Sequence, residues 1–291
     1  MITITEAEVR RLLPMADAIQ ALRDAFAAWR AGEAQNQSRR RMVLPTGACL
    51  HQLAGAHRGY FGTKVYSTHP KHGAWFHVLL YDAETARPLA FIEADWLGQV
   101  RTGAATGLAT DLLAVPSATT VGLIGSGYQA AGQLAAVRAV RTVSRVNVWS
   151  RNLANAAKFA EEYQATVVAS AEEAVREAEI VITATSAREP VIEAGWISDG
   201  AHVNAVGSNQ AQKRELPAEL IVRAALIAVD SIDQSKLESG DLLLADFDWL
   251  DPRLIELKDV NRRPSGITIF KSNGLGLEDI AVASLIYERT L

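Results

Sequence analysis

The chain has 291 residues, 49% of them hydrophobic, with 29 Lys and Arg against 33 Asp and Glu. That length fits about two domains, and the ordinary globular composition excludes disorder, collagen and coiled coil. No apolar run reaches the ~20 residues of a membrane span, a formal charge of −4 argues against nucleic acid as a partner, and the single cysteine, Cys49, excludes a disulfide framework or a thiolate metal cluster and fits a reducing cytoplasm.

Ile19, Leu22, Phe26 and Trp29 recur at helical spacing and predict an amphipathic helix over 14–31. Short β-like runs follow at 41–44, 60–66, 75–81 and 88–92, punctuated by Gly, Pro and charged residues, which predicts a small mixed or antiparallel sheet. An Ala- and Leu-rich helix spans about 96–113. The rhythm then becomes strand and helix in alternation: strands at 119–124, 143–149, 166–168, 180–184, 201–206 and 225–229, helices at 126–140, 153–163 and 171–177. This pattern reads as α/β, with a parallel sheet covered on both faces. A last strand and helix lie at 267–271 and 277–288.

The sharpest local signal is GSGYQA at 125–130, a G-x-G-x-x-A motif at the end of a strand and the start of a helix. Gly125 permits the tight turn, Gly127 lets backbone approach a pyrophosphate, Ala130 allows close helix–strand packing, and the helix N-terminus supplies free N–H groups. The next strand ends at Trp149-Ser150-Arg151-Asn152, where an NAD site usually places an acid for the ribose 2′-hydroxyl. No Asp or Glu occurs between Asp111 and Glu161, whereas Arg138, Arg141, Arg145, Arg151 and Lys158 do. Arg151 suits a 2′-phosphate, so NADP(H) is preferred and NAD(H) remains open. A metal is not expected: His69 and His72 have HxxH spacing, but they sit in a Pro-containing loop without a third ligand.

Taken together, RMVLP (41–45), FGTKV (61–65), VRTGAA (100–105), the GSGYQA loop, AHVNAVG (201–207), VDS (229–231), ESGD (238–241) and IFKSNGLGLED (269–279) resemble the ornithine cyclodeaminase/mu-crystallin family in order and spacing. The resemblance implies a Rossmann-type domain over 114–267. It also implies a smaller α+β domain, for substrate binding and dimerisation, over 1–113 and 268–291. It implies hydride chemistry at the α-carbon of a small amino or imino acid, in a homodimer. Arg41, Lys64 and Arg101 match the cationic substrate positions, with Arg101 also touching cofactor and Lys64 in a catalytic role; Arg39 and Arg40 leave the register at Arg41 open. Ser126, Tyr128 and Gln129 would line the pyrophosphate. Ser150, Arg151, Asn152 and Asn155 would hold the adenosine side, and Thr185, Ser186, Val206 and Ser272 the nicotinamide side. Deaminating members carry an aspartate where this chain has Asn209, and an amide cannot take up a proton at neutral pH. The best reading is therefore a reductase of small, cyclic 2-imino acids. The alternatives are an ammonia-releasing cyclodeaminase and a protein that holds NADPH and a small ligand without turnover.

Overall fold

Strands form along this chain where branched and aromatic residues cluster, and helices where Ala and Leu do. The computed structural model describes residues 1–291. In chain order the first elements are β1 (Ile2–Ile4), α1 (Glu6–Leu12), α2 (Met15–Arg30), β2 (Gln35–Val43), β3 (Cys49–His57), β4 (Tyr60–His69), β5 (Gly73–Asp82), β6 (Pro88–Glu93) and α3 (Asp95–Leu113). Then follow β7 (Thr120–Ile124), α4 (Tyr128–Val140), β8 (Arg145–Trp149), α5 (Leu153–Tyr163), β9 (Thr166–Val167), α6 (Ala171–Val175), β10 (Ile180–Thr183) and β11 (His202–Ala205). The chain closes with α7 (Ala218–Arg223), β12 (Leu226–Val229), α8 (Ile232–Glu238), α9 (Gly240–Leu243), β13 (Leu254–Glu256), β14 (Thr268–Lys271) and α10 (Gly276–Glu288). Two compact units result, residues 1–104 with 274–291 and residues 105–273.

The first unit carries a six-stranded mixed sheet, β1-β6-β5-β4-β3-β2, antiparallel except where β1 runs parallel to β6. Thr5 and Glu8 form a capping box that starts α1, and α2 buries Ala18, Ile19, Leu22, Ala25 and Phe26. One face of the sheet receives α10. A Cβ at Gly55 would lie 2.6 Å from the Leu277 nitrogen, and one at Gly276 would lie 2.4 Å from the Ala54 carbonyl, so strand and helix meet backbone to backbone. On that face the register builds cross-strand rows: Gly55–Gly62–Leu80, then Leu53–Lys64–Val78, then His51–Tyr66–Phe76. Leu80 and Val78 are fully buried and Phe76 is half-buried, so the rows run from a dry end under α10 to a wetter one.

The second unit is an eight-stranded parallel sheet, β13-β12-β14-β11-β10-β7-β8-β9. From β7 the chain steps outward to β8 and β9, then returns to place β10, β11 and β14 on the other side. The order therefore reverses between β7 and β10, where open α/β sheets bind ligands at their strand C-termini. The interior is not wholly apolar. His202 Nδ1 pairs with Thr268 Oγ1 at 2.9 Å and its Nε2 with Asn204 Oδ1 at 3.2 Å, while Asn204 Nδ2 donates to Thr110 Oγ1 at 3.0 Å. Arg141 closes α3 by donating to the carbonyls of Thr110, Asp111 and Ala114. No helix is long and apolar enough to cross a membrane.

Burial holds His202 neutral, its pKa pushed down to about 3. Unfolded, it titrates near 6.5, so the unfolded state takes up the proton first. Its stabilising contribution is full above pH 6.5 and drains away as pH falls from there toward 3. Between pH 7.5 and 5.5 this one histidine removes about 1.4 kcal/mol. Urea unfolding at the two pH values checks it: in a His202→Asn variant the pH difference should shrink by about that amount.

Candidate active site

In the first unit the second cross-strand row is the unusual one, because it places a lysine among apolar neighbours. Lys64 is 2% exposed, and its Nζ donates to Asp279 Oδ1 of α10 at 3.0 Å. The same carboxylate oxygen lies 2.9 Å from Nε of Arg101 on α3, whose Nη1 donates to Glu278 Oε2 at 2.9 Å. The second oxygen of Asp279, Oδ2, is buried without a hydrogen-bond partner. Arg39 is also buried and donates from Nη2 to the Gly274 carbonyl at 3.2 Å. Gly274 sits at φ 81°, and a Cβ there would fall 2.4 Å from Arg101 Nη1, so only glycine fits against the guanidinium.

Three cations thus share a dry volume with two carboxylates, an excess of one positive charge. Burial pulls the Lys64 pKa down to about 8, with Arg101 adding to the fall and Asp279 opposing it. Burial also opposes charge on Arg101, but Asp279 and Glu278 more than offset it and hold the guanidinium ionised. Arg41 is exposed on β2, directly across from His51. A bulge between Gln37 and Arg40 sets the register here, and Arg39 is the arginine that reaches the buried volume.

In the second unit the GSGYQA turn lies where the strand order reverses. Gly125 has φ 110°, and a Cβ there would meet the Ala184 carbonyl at 2.4 Å, so the turn after β7 rests against the loop after β10. Helix α4 begins at Gly127 with no side-chain cap, and a Cβ at Gly127 would meet nothing within 4 Å. Open backbone donors and an open cradle at a helix N-terminus fit a dinucleotide pyrophosphate. Ser126 and Gln129 are half-buried there, and Tyr128 is exposed. Past β8, Ser150 is half-buried, while Arg151 is exposed and forms no ion pair. Asn152 caps α5 by accepting from Asn155 N at 3.2 Å. Arg141 and Arg145 are committed to Asp111 and Glu177.

Thr185 and Val206 lie in the loops after β10 and β11, and these loops are tied together by a residue that local sequence reading passes over. Glu215 is fully buried and accepts from Thr183 Oγ1 at 2.9 Å and from Thr185 N, Thr185 Oγ1 and Gly207 N at 2.7 Å each. Burial and the nearby Asp241 raise its pKa, against Lys271 and Thr185. Asp241 accepts from the Glu215 and Leu216 nitrogens and pairs with Lys271 at 3.2 Å. Ser186 is exposed and Asn209 half-buried. Ser272 is buried with its hydroxyl donating to Asp230 Oδ2 at 3.3 Å, and Asp230 also accepts from Asn273 N at 2.6 Å. The His69 and His72 rings lie 4.4 Å apart, tilted by 36°, and no group of three metal-ligating side chains occurs.

A parallel sheet whose order reverses at an open G-x-G-x-x-A turn defines a dinucleotide-binding α/β protein. The ornithine cyclodeaminase/mu-crystallin family model matches residues 1–291, and the chain belongs to that family. Among solved structures it is similar to the Δ1-pyrroline-2-carboxylate reductase of Thermococcus litoralis in complex with NADH and L-proline, at TM-score 0.94 and 32% identity over 100% of this chain and 97% of that one. An archaeal alanine dehydrogenase dimer with bound NAD matches at TM-score 0.93 and 31% identity, over 99% and 95%. The ketimine reductase mu-crystallin of Mus musculus is 35% identical over 248 residues, 83% of this chain and 76% of that protein.

The charge count in the first unit is testable. Lys64→Met removes the surplus cation and leaves two against two, so stability should change by no more than about 1–2 kcal/mol. Asp279→Asn leaves three cations against one carboxylate and should cost about 3–5 kcal/mol. Urea denaturation of the two variants decides it; equal losses would refute the surplus.

Proposed function

We propose that the protein reduces the C=N bond of small, cyclic 2-imino acids with NAD(P)H, preferring NADP(H). The observation that carries this reading is the buried surplus of one positive charge around Lys64, Arg101 and Arg39. A substrate carboxylate neutralises it, and a planar guanidinium with a neighbouring ammonium is a fitting clamp for that group. When bound, the dinucleotide supplies the hydride that reaches the imine carbon. The imine nitrogen needs a proton, and Lys64 Nζ, with a pKa of about 8, is poised to give it. The amine product forms, and Lys64 regains its proton from solvent. Asn209 orients by hydrogen bonding but cannot act as the base that amine oxidation and ammonia release require. Copies of the chain pair through the outer face of the first sheet, where Phe61, Trp75 and Met42 are exposed.

Arg151, exposed and without an ion-pair partner, supports the choice of NADP(H). Fluorescence titration should find NADPH bound one to two decades more tightly than NADH, about 1.5–3 kcal/mol, and Arg151→Ala should remove most of the difference. Equal binding of both dinucleotides by the unmutated protein refutes the preference.

The reaction is tested by following NADPH absorbance with pyrroline-2-carboxylate and its six-membered homologue. Turnover should fall as pH rises through about 8, where Lys64 loses its proton. Little ammonia should leave ornithine, and Asn209→Asp should raise it, since a general base typically contributes ~10²–10⁴-fold. Ample ammonia from ornithine with the unmutated protein would make it a cyclodeaminase; tight NADPH binding without turnover of any imine would make it a ligand carrier.

A further inference from the structure

A second buried charge cluster lies in the other unit, against the loops that leave β10 and β11. There Glu215 and Asp241 share a dry volume with Lys271, and all three are 0% exposed. Asp241 Oδ1 accepts from the Glu215 nitrogen at 2.6 Å and the Leu216 nitrogen at 2.9 Å, which fixes the backbone that carries Glu215. The Glu215 carboxylate then spans two loops: Oε1 takes the Thr185 N–H and Oε2 the Gly207 N–H, each at 2.7 Å. Lys271 Nζ donates to the next carbonyl along, that of Ser208, and to those of Ala205 and Ser272. The loop after β11 is therefore gripped at consecutive residues, its N–H at 207 by an anion and its C=O at 208 by a cation, with Val206 and Asn209 on either side. There is no slack in the grip: a Cβ at Gly207 would fall 2.4 Å from Glu215 Oε1 and 2.3 Å from the Thr185 carbonyl.

We propose that Glu215 and Lys271 are positioning residues for the nicotinamide half of the dinucleotide, holding the loops after β10 and β11 in their binding shape before the cofactor arrives. This rests on the reading of the second unit as a dinucleotide site. A dinucleotide lies across the point where the strand order reverses. Its adenosine half belongs to the β7 and β8 side, so its other half falls on the loops after β10 and β11, the two that the grip holds. Ordering a loop as a ligand binds costs affinity, and a loop already fixed costs none. Both side chains are fully buried, so they act through the backbone they hold and not by contact. A neutral isostere cannot stand in for Glu215. A glutamine amide has one oxygen and one NH2, and whichever way it turns the NH2 meets either the Thr185 or the Gly207 N–H, donor against donor, so one loop comes free.

The two halves of the cofactor, offered separately, test this. Calorimetry compares NADPH with 2′,5′-ADP and NADH with ADP, each fragment lacking the nicotinamide half. Glu215→Gln should bind the whole dinucleotide roughly ten- to a hundredfold more weakly than the unmutated protein, the range of a hydrogen bond to a charged group, and the fragment within about twofold. Thr183→Val removes the one donor to Glu215 that belongs to a strand, and should lower stability while leaving the ratio of the two affinities in place. Hydrogen exchange on the unmutated protein reads the loops without any variant, and decides the matter if Glu215→Gln does not fold. The Thr185 and Gly207 amides should be protected before cofactor is added, and cofactor should add little. Equal losses for dinucleotide and fragment would make Glu215 a support of the whole unit, and unchanged dinucleotide binding would make the grip idle; either overturns the proposal. So do Thr185 and Gly207 amides that exchange freely until a dinucleotide is bound. If the unmutated protein binds neither NADPH nor NADH, the dinucleotide reading itself falls, and the positioning role with it.

Discussion

Burying Lys64, Arg101 and Arg39 beside Glu278 and Asp279 costs several kcal/mol per ion, and the first unit is arranged around meeting that cost. One oxygen of Asp279 is shared between the ammonium and the guanidinium, so a single carboxylate serves two cations. Position 274 has to be glycine because the guanidinium occupies the space of a side chain. Helix α10 has to sit close on β3 because its first turn carries both acids, and the glycines at 55 and 276 permit that approach. What remains after pairing is a net positive charge in a low-dielectric volume. There an arriving anion interacts far more strongly than at a surface, and the positions of its partners are already fixed.

Much of this was legible in the chain, and the gaps have physical causes. Strands β4, β5 and β7 were read from their branched and aromatic residues, and the turn at Gly125 from its spacing. Strand β3 escaped because Ala54, Gly55 and Ala56 were selected to admit a helix backbone rather than to favour a pleated strand. Elements of three to seven residues, β1, α1, α7, α8, α9 and β13, are too short to display a period. Lys64 stood out as a charge in an apolar run, but its partner Asp279 lies 215 residues away, and no local pattern links them. Arg101 sits on α3, which is apolar on nearly every side, so only family resemblance picked it out. The bulge in β2 leaves Arg39 buried and Arg41 exposed, and a bulge re-aims side chains without a reliable sequence mark.

The second unit solves a different problem. Glu215 supplies hydrogen-bond acceptance for the loops after β10 and β11 at once. Such a group is hard to find from sequence because its value lies in convergence, not in type: a single glutamate between unremarkable neighbours becomes central only when β10 and β11 lie side by side. Asp241 and Lys271 extend the network to β14, so the loops after β10 and β11 are held by buried ions and not by apolar packing alone.

The two acids of α10 belong to the last eighteen residues of the chain, residues 274–291, whereas their cationic partners are encoded before residue 104. On the ribosome, therefore, the nascent chain exposes Arg39, Lys64 and Arg101 long before Glu278 and Asp279 emerge. A chain ending between residues 101 and 277 would carry all three cations and neither acid, a species marked for quality control by electrostatics as much as by exposed apolar surface.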